Sequence, residues 1–121
     1  MPTLPTPRLC NLEAALRRMG GNVVLLKQVI GFFHADAPGL RTRLRQGLAA
    51  GDCTLVQITA HSLKGLTANF DAERAVKAAF RVEQSAHAGR LDEAATAAEE
   101  LERELDELSI SLDAEAARLE S

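Results

Sequence analysis

Apolar residues recur every three or four positions along most of this chain, and the breaks in that rhythm divide it into helices. Leu12, Ala15, Leu16 and Met19 make a first short stripe, with Asn11 placed to cap it and Gly20-Gly21 to end it. Asn22 then caps a second helix. On it Val23, Leu26, Ile30 and Phe33 recur at helical spacing, and the stripe continues through Ala37, Leu40, Leu44 and Leu48. Pro38 interrupts it. Proline lacks the backbone donor and clashes with the preceding turn, so the pattern predicts a kink or a restart between His34 and Pro38, with Asp36 as the new cap. Gly51 then stops one helix and Asp52 caps the next.

That next helix runs to about Phe70. One face carries Val56, Ala60, Leu63, Thr67 and Phe70 and is mostly apolar. A second carries Thr54, Gln57, His61, Lys64, Gly65 and Ala68, each polar or very small. His61 therefore reads as a histidine displayed on the wet face. Asp71 opens a further helix to about Ala88, with the stripe Ala72, Val76, Phe80, Glu83 and His87, and with Ala79 and Ala86 alongside. A carboxylate in line with core positions is costly unless something pairs with it. Either Glu83 has such a partner, or the helix is rotated slightly and Glu83 reaches solvent. Beyond Gly89-Arg90, a seam of Leu91, Ala94, Ala98, Leu101, Leu105, Leu108, Leu112 and Leu119 resembles that of a coiled coil, weakest at Ser109 and Ser111. A long final helix packed into its own bundle explains it simply; a free-standing coiled-coil dimer is the other reading.

Composition narrows the class. The chain has 121 residues, the length of one domain. Met1 to Arg8 holds three of the four prolines and reads as a linker or tail, leaving 9–121 as the domain. Alanine, leucine, glutamate and arginine dominate and β-branched residues are sparse, which favours an all-helical fold. The net charge of −3 leaves no electrostatic footprint for nucleic acid. No apolar run approaches the roughly 18 residues that span a membrane, and no secretory signal is visible. Cys10 and Cys53 form no CxxC motif and fit reduced thiols in a cytoplasmic protein. Arg41, Arg43 and Arg45 lie close together, either as a solvated face or as a rim that meets an acidic partner.

The chemistry gathers at His61, Lys64 and Gly65. Imidazole is a good nucleophile near neutral pH. A lysine one turn on can hold a phosphoryl group as a point charge. A missing side chain lets another molecule approach the helix closely. A histidine that accepts and hands on a phosphoryl group needs those three properties.

Ala60-His61-Ser62-Leu63-Lys64-Gly65, followed by Ala68-Asn69-Phe70-Asp71-Ala72, resembles the signature of histidine-containing phosphotransfer domains, the carriers of bacterial and fungal multistep phosphorelays. The similarity extends to Leu16, Gly20-Gly21, Leu25-Leu26, Phe33, Asp36, Pro38, Leu40, Leu44 and Gly51-Asp52 before it, and to Val82-Glu83 and Gly89-Arg90 after it. It covers roughly Leu9 to Leu112. Two residues depart from the family: Asp71 stands where glycine is usual, and Leu66 is bulkier than the usual small residue. Aspartate can cap the following helix, so the turn is expected to survive.

The resemblance implies an all-α domain: an antiparallel up-down four-helix bundle with a short additional N-terminal helix; four long helices that close one bundle argue for a monomer. It implies that His61 is the phospho-acceptor, taking the group from a receiver-domain aspartate and passing it to a response-regulator aspartate. Lys64 would balance charge. Glu83 would hold the proton on one ring nitrogen and keep the other free. Gln57, Ile58, Gly65, Leu66 and Ala68 would form the docking surface. The receiver would supply Mg²⁺, so the domain needs no cofactor or metal of its own. Such domains stand alone or close a hybrid sensor kinase. No phosphate-binding glycine loop is present, so phosphorylation by ATP is not expected. Two other functions are compatible with a helical bundle of this kind. One is a helical docking module whose histidine is never phosphorylated. The other is a metal-binding bundle, which would require His34, His61 and His87 to converge without any Glu-x-x-His motif to help.

Overall fold

A computed structural model describes residues 8–120; the proline-rich stretch read as a linker lies, but for Arg8, outside the described residues. Five helices follow in order: α1 (Leu12–Arg18), α2 (Val23–Ala50), α3 (Cys53–Ala68), α4 (Glu73–His87) and α5 (Leu91–Glu120). No strand occurs among the described residues. Helix α3 packs on α2 and α4, α4 on α5, and α5 closes back on α2, while α1 lies against α2. Short connections between successive helices make the neighbours antiparallel. The expected up-down four-helix bundle with a short extra N-terminal helix is the observed architecture.

Three of the N-caps read from sequence form: Asn11, Asn22 and Asp52. The side chains of Asn11, Asn22 and Asp52 accept the backbone N–H of Ala14, Leu25 and Leu55 at 3.0–3.1 Å. Gly51 ends α2 in the left-handed conformation, φ 68°.

Pro38 does not restart a helix. It lies inside α2, which is continuous from Val23 to Ala50, and Asp36 caps nothing. The reason is packing. Phe33 and Ala37 before the proline, and Leu44 after it, are buried in one core. Proline inside a helix costs about 3 kcal/mol. Burying Phe33 and Leu44 returns roughly 1.5–3 kcal/mol each, and both are lost if the halves diverge. Pro38 itself faces solvent.

Asp71 is also used differently from the expectation. The residue at the N-cap of α4 is Ala72, with no side-chain cap bond. Asp71 has φ 50°, the left-handed turn in which glycine is at home and aspartate is among the few tolerated replacements. Its carboxylate turns back and accepts two bonds from Arg18 of α1, both at 2.7 Å. Nearby, the Asn11 N–H donates to the Phe70 carbonyl at 2.8 Å. The α3–α4 turn is thus tied to the start of the chain.

Helix α4 is rotated by about one residue, some 100°, from the face read in its sequence. Its buried residues are Ala75, Ala78, Ala79, Val82 and Ala86, whereas Phe80 is 44% exposed, Glu83 flanks the core and His87 is exposed. Small residues let α4 approach α3 and α5 closely. A Phe80 turned inward would hold them apart.

The leucine seam of α5 is spent inside the bundle: Ala94, Ala98, Leu101, Leu105, Leu108 and Leu112 are buried, and Leu91 and Leu119 pack half-buried at its ends. Its charged flanks bond neighbouring helices. Glu102 takes Arg41 (2.6 Å) and Arg45 (2.5 Å) from α2. Glu104 and Glu107 take Arg74 from α4, at 2.8 and 2.5 Å. Such surface pairs are worth about 0–1 kcal/mol each and serve alignment more than stability.

Gly47 marks the tightest approach of α2 to α3. A methyl group there would lie 2.9 Å from Val56 Cγ2 and 3.3 Å from the Val56 nitrogen. Val56 is fully buried and β-branched, so it has little room to yield. Overpacking should outweigh the gain in helix propensity, and Gly47→Ala should lose about 1–2 kcal/mol. Gly31→Ala, in the same helix with nothing near the added carbon, should gain about 0.5–1 kcal/mol. Urea unfolding of the two variants checks the contrast; equal effects would mean the α2–α3 approach is looser than described.

Candidate functional site

Helix α3 turns one face to the core and the opposite one outward. Val56, Ala60, Leu63 and Thr67 are fully buried. The Thr67 hydroxyl is satisfied by the Leu63 carbonyl of its own helix at 2.9 Å. That burial fixes the rotation of α3, and with it the display of His61, whose side chain is 68% exposed.

Antiparallel packing sets Glu83 of α4 beside His61. The ring Nδ1 lies 2.8 Å from Glu83 Oε2. The second oxygen, Oε1, accepts from Lys64 Nζ at 2.6 Å. The Glu83 side chain is only 16% exposed. This resolves the alternatives left by the sequence: α4 is rotated, yet Glu83 is largely withdrawn from water, and it is paired.

The Lys64 ammonium holds the Glu83 carboxyl below the usual carboxylate range; burial opposes this, and the bond to His61 adds to it. An ionised carboxylate can only accept. The proton of the neutral imidazole therefore sits on Nδ1, which leaves the lone pair on Nε2, on the far side of the ring from Glu83. This is an orienting arrangement that carboxylates supply to histidines at other sites.

The other expected residues are distributed around this pair. Lys64 does not stand free beside the ring: its ammonium is engaged by Glu83 and lies 4.9 Å from the Phe80 ring centroid. Gly65 has open space where a side chain would be, so nothing within the fold requires a glycine there. Ile58 is 60% exposed and Ala68 is exposed. Leu66 is half-buried against the core. Gln57 Nε2 lies 3.2 Å from Nδ1 of His87, one turn along both helices from the His61–Glu83 pair.

Reading α3 by itself missed what α2 contributes. An open groove of about 580 Å³ runs between the two helices, with Asp36, Leu40 and Arg43 on one wall and His61, Ser62, Gly65, Leu66 and Asn69 on the other. Phe80 and His87 lie on the outer side of α4, not on the core stripe that the periodicity predicts. The alanine-rich face of Ala75, Ala78, Ala79 and Ala86 was the signal that would have placed them outward. The three histidines have three different neighbours: Glu83 for His61, Gln57 for His87, and Asp113 at 2.9 Å for His34. Among the described residues no three His, Cys, Asp or Glu side chains gather as a metal site. No described helix is long and apolar enough to cross a membrane.

Fold and site together define a class, a helical bundle that displays on α3 an exposed imidazole beside a largely buried carboxylate. The family model of the Hpt domain matches residues 28–111, more than half of the chain. Among solved structures, the chain is similar to the crystal structure of histidine-containing phosphotransfer protein B (HptB) from Pseudomonas aeruginosa PAO1. The TM-score is 0.74 at 30% identity, over 88% of this chain and 90% of that one. No curated protein matches the sequence. The chain belongs to the histidine-containing phosphotransfer (Hpt) domain family.

Two outcomes follow from the Glu83 geometry. In Glu83→Ala, the His61 ring should lose its preference for the Nδ1–H tautomer, read from ¹⁵N chemical shifts; an unchanged tautomer would remove Glu83 from the orienting role. The second concerns pH. A carboxyl whose folded pKa is depressed contributes stability above its unfolded value, near 4.5, and loses it as pH falls through the lower folded value. The stability advantage of wild type over Glu83→Gln should therefore be full at pH 6 to 7 and fade below about pH 4.5. An advantage that persists unchanged at pH 2 would show that the ionised carboxylate is not its source.

Proposed function

We infer that this chain is a phosphorelay intermediate of two-component signalling, with His61 as the residue that carries the phosphoryl group. The observation that supports this most directly is a solvent-facing imidazole whose Nδ1 is 2.8 Å from a largely buried, lysine-paired carboxylate. The lone pair of Nε2 attacks the phosphorus of an aspartyl phosphate on a receiver domain. The N–P bond forms as the acyl O–P bond breaks, and the electron pair leaves with the receiver carboxylate. Nδ1 keeps its proton, so the ring becomes a cation and Glu83 pairs with it. The reverse sequence delivers the group to a second receiver.

Lys64 acts through Glu83 in this scheme, as a positioning residue that keeps the carboxylate ionised. The docking surface comprises Gln57, Ile58, Gly65, Leu66 and Ala68, and Gly65 gives the partner close access. The receiver brings Mg²⁺ and most of the catalytic groups. The family's domains are phosphocarriers rather than kinases; this chain accordingly needs no ATP and no cofactor. It works as a monomeric domain over 9–121, in the cytoplasm.

The test mixes the chain with a phosphorylated receiver and Mg²⁺. Acid-labile, base-stable label should appear on wild type and not on His61→Gln. Label on both would move the acceptor elsewhere. Absence of label with every receiver tried would favour a docking module. Gly65→Gln adds bulk to the docking face without crowding the fold, and should weaken receiver binding by tenfold or more on the scale of a clash at an interface centre. Unchanged affinity by titration calorimetry would place the contact elsewhere.

A further inference from the structure

Three arginines stand on one stretch of α2, and they are not equivalent. Arg41 and Arg45 are engaged by α5, through Glu102 and Asp106. Arg43 is exposed, and its side chain makes no hydrogen bond or ion pair with another described residue. It lies on the opposite side of α2 and lines the groove that His61 also lines.

The helix register puts the two at one level. Gly47 of α2 abuts Leu55 and Val56 of α3. The helices run antiparallel, so one turn back along α2, at Arg43, corresponds to one turn forward along α3, just before His61. The imidazole thus has a cation on each flank. On the α4 side, Lys64 is held by Glu83 at 2.6 Å. On the α2 side, the Arg43 guanidinium is unengaged among the described residues. Nε2 faces away from Glu83, so a group bonded to it leaves the α4 flank, where the cation is already neutralised.

We propose that Arg43 is a phosphoryl-binding residue: its guanidinium closes over the dianionic group on Nε2 of His61 from the α2 wall of the groove. Guanidinium presents paired N–H donors that match two phosphoryl oxygens, which an ammonium does not. Among the described residues of the free chain it has no anionic partner. Once His61 carries its phosphoryl group, that anion is supplied. The proposal rests on His61 being the acceptor.

The experiment phosphorylates the whole chain chemically with phosphoramidate, a small-molecule donor that needs no receiver, and follows the phosphohistidine ³¹P signal against pH. Wild type, Arg43→Ala and Arg43→Lys are compared, with thermal unfolding to confirm that the unpaired side chain is dispensable for folding. A nearby cation favours the dianion. In Arg43→Ala the midpoint of phosphoryl protonation should therefore rise, by about half a unit. The equilibrium with a phosphorylated receiver should shift toward the receiver about tenfold, the scale of one hydrogen bond to a charged group. Arg43→Lys should restore the midpoint in part. A ³¹P titration of Arg43→Ala identical to wild type overturns the proposal. So does a variant that changes only KM for the receiver, since Arg43 would then be a receiver contact. If wild type itself shows no phosphohistidine at His61, the acceptor assignment has failed instead, and the two failures are told apart in one spectrum.

Discussion

Everything distinctive about this bundle depends on one carboxylate placed between two helices. Glu83 reaches from α4 to α3 and touches His61 with one oxygen and Lys64 with the other, at 2.8 and 2.6 Å. A carboxylate so withdrawn from water needs donors on both oxygens, because an unpaired buried charge costs several kcal/mol. The ammonium keeps it ionised, and an ionised carboxylate can only accept. From that constraint follow the proton on Nδ1, the lone pair on Nε2 and the outward aim of that lone pair. Neither helix holds this arrangement alone.

The rest of the fold can be understood as what keeps α3 and α4 in that relation. The alanine face of α4 lets the two axes approach, and leaves Phe80 outside as a platform beneath the Lys64 ammonium. The α3–α4 corner is set by a left-handed Asp71 and anchored by Arg18. Behind the corner, Phe33 meets Phe70 edge to face, with centroids 5.8 Å apart, so α2 supports the same turn from within the core. At the other end of α3, Gly47 permits close contact with Val56 and fixes how far α2 slides along α3. The groove beside His61 is a consequence of that slide.

Charge is divided by side. The acidic flanks of α5 absorb arginines from α2 and α4, which draws those cations away from the histidine face. Beside the imidazole stand a lysine bonded to Glu83 and, along the groove, Asp36 and Arg43, whose guanidinium has no ion-pair partner among the described residues.

Much of this was legible in the chain. Helix number, the Asn11, Asn22 and Asp52 caps, the buried face of α3 and the exposure of His61 all follow from local rules: cap chemistry and a period near 3.6 act over a few residues and need no partner helix. The resemblance around His61 carried the family in the same way. Three features were decided only by tertiary structure. Pro38 stays inside a helix because core contacts on both sides outweigh a local penalty. Asp71 turns back to Arg18 because the corner demands a left-handed backbone. Helix α4 rotates because alanines pack closer than Val76 and Phe80 could, and two neighbours compete for its face. The pairing of Glu83 with Lys64, and the sharing of one groove by Arg43 and His61, join residues 19 and 18 positions apart in sequence. No periodicity within one helix encodes such a distance; it is set by how far antiparallel helices slide and turn against one another before their side chains interlock.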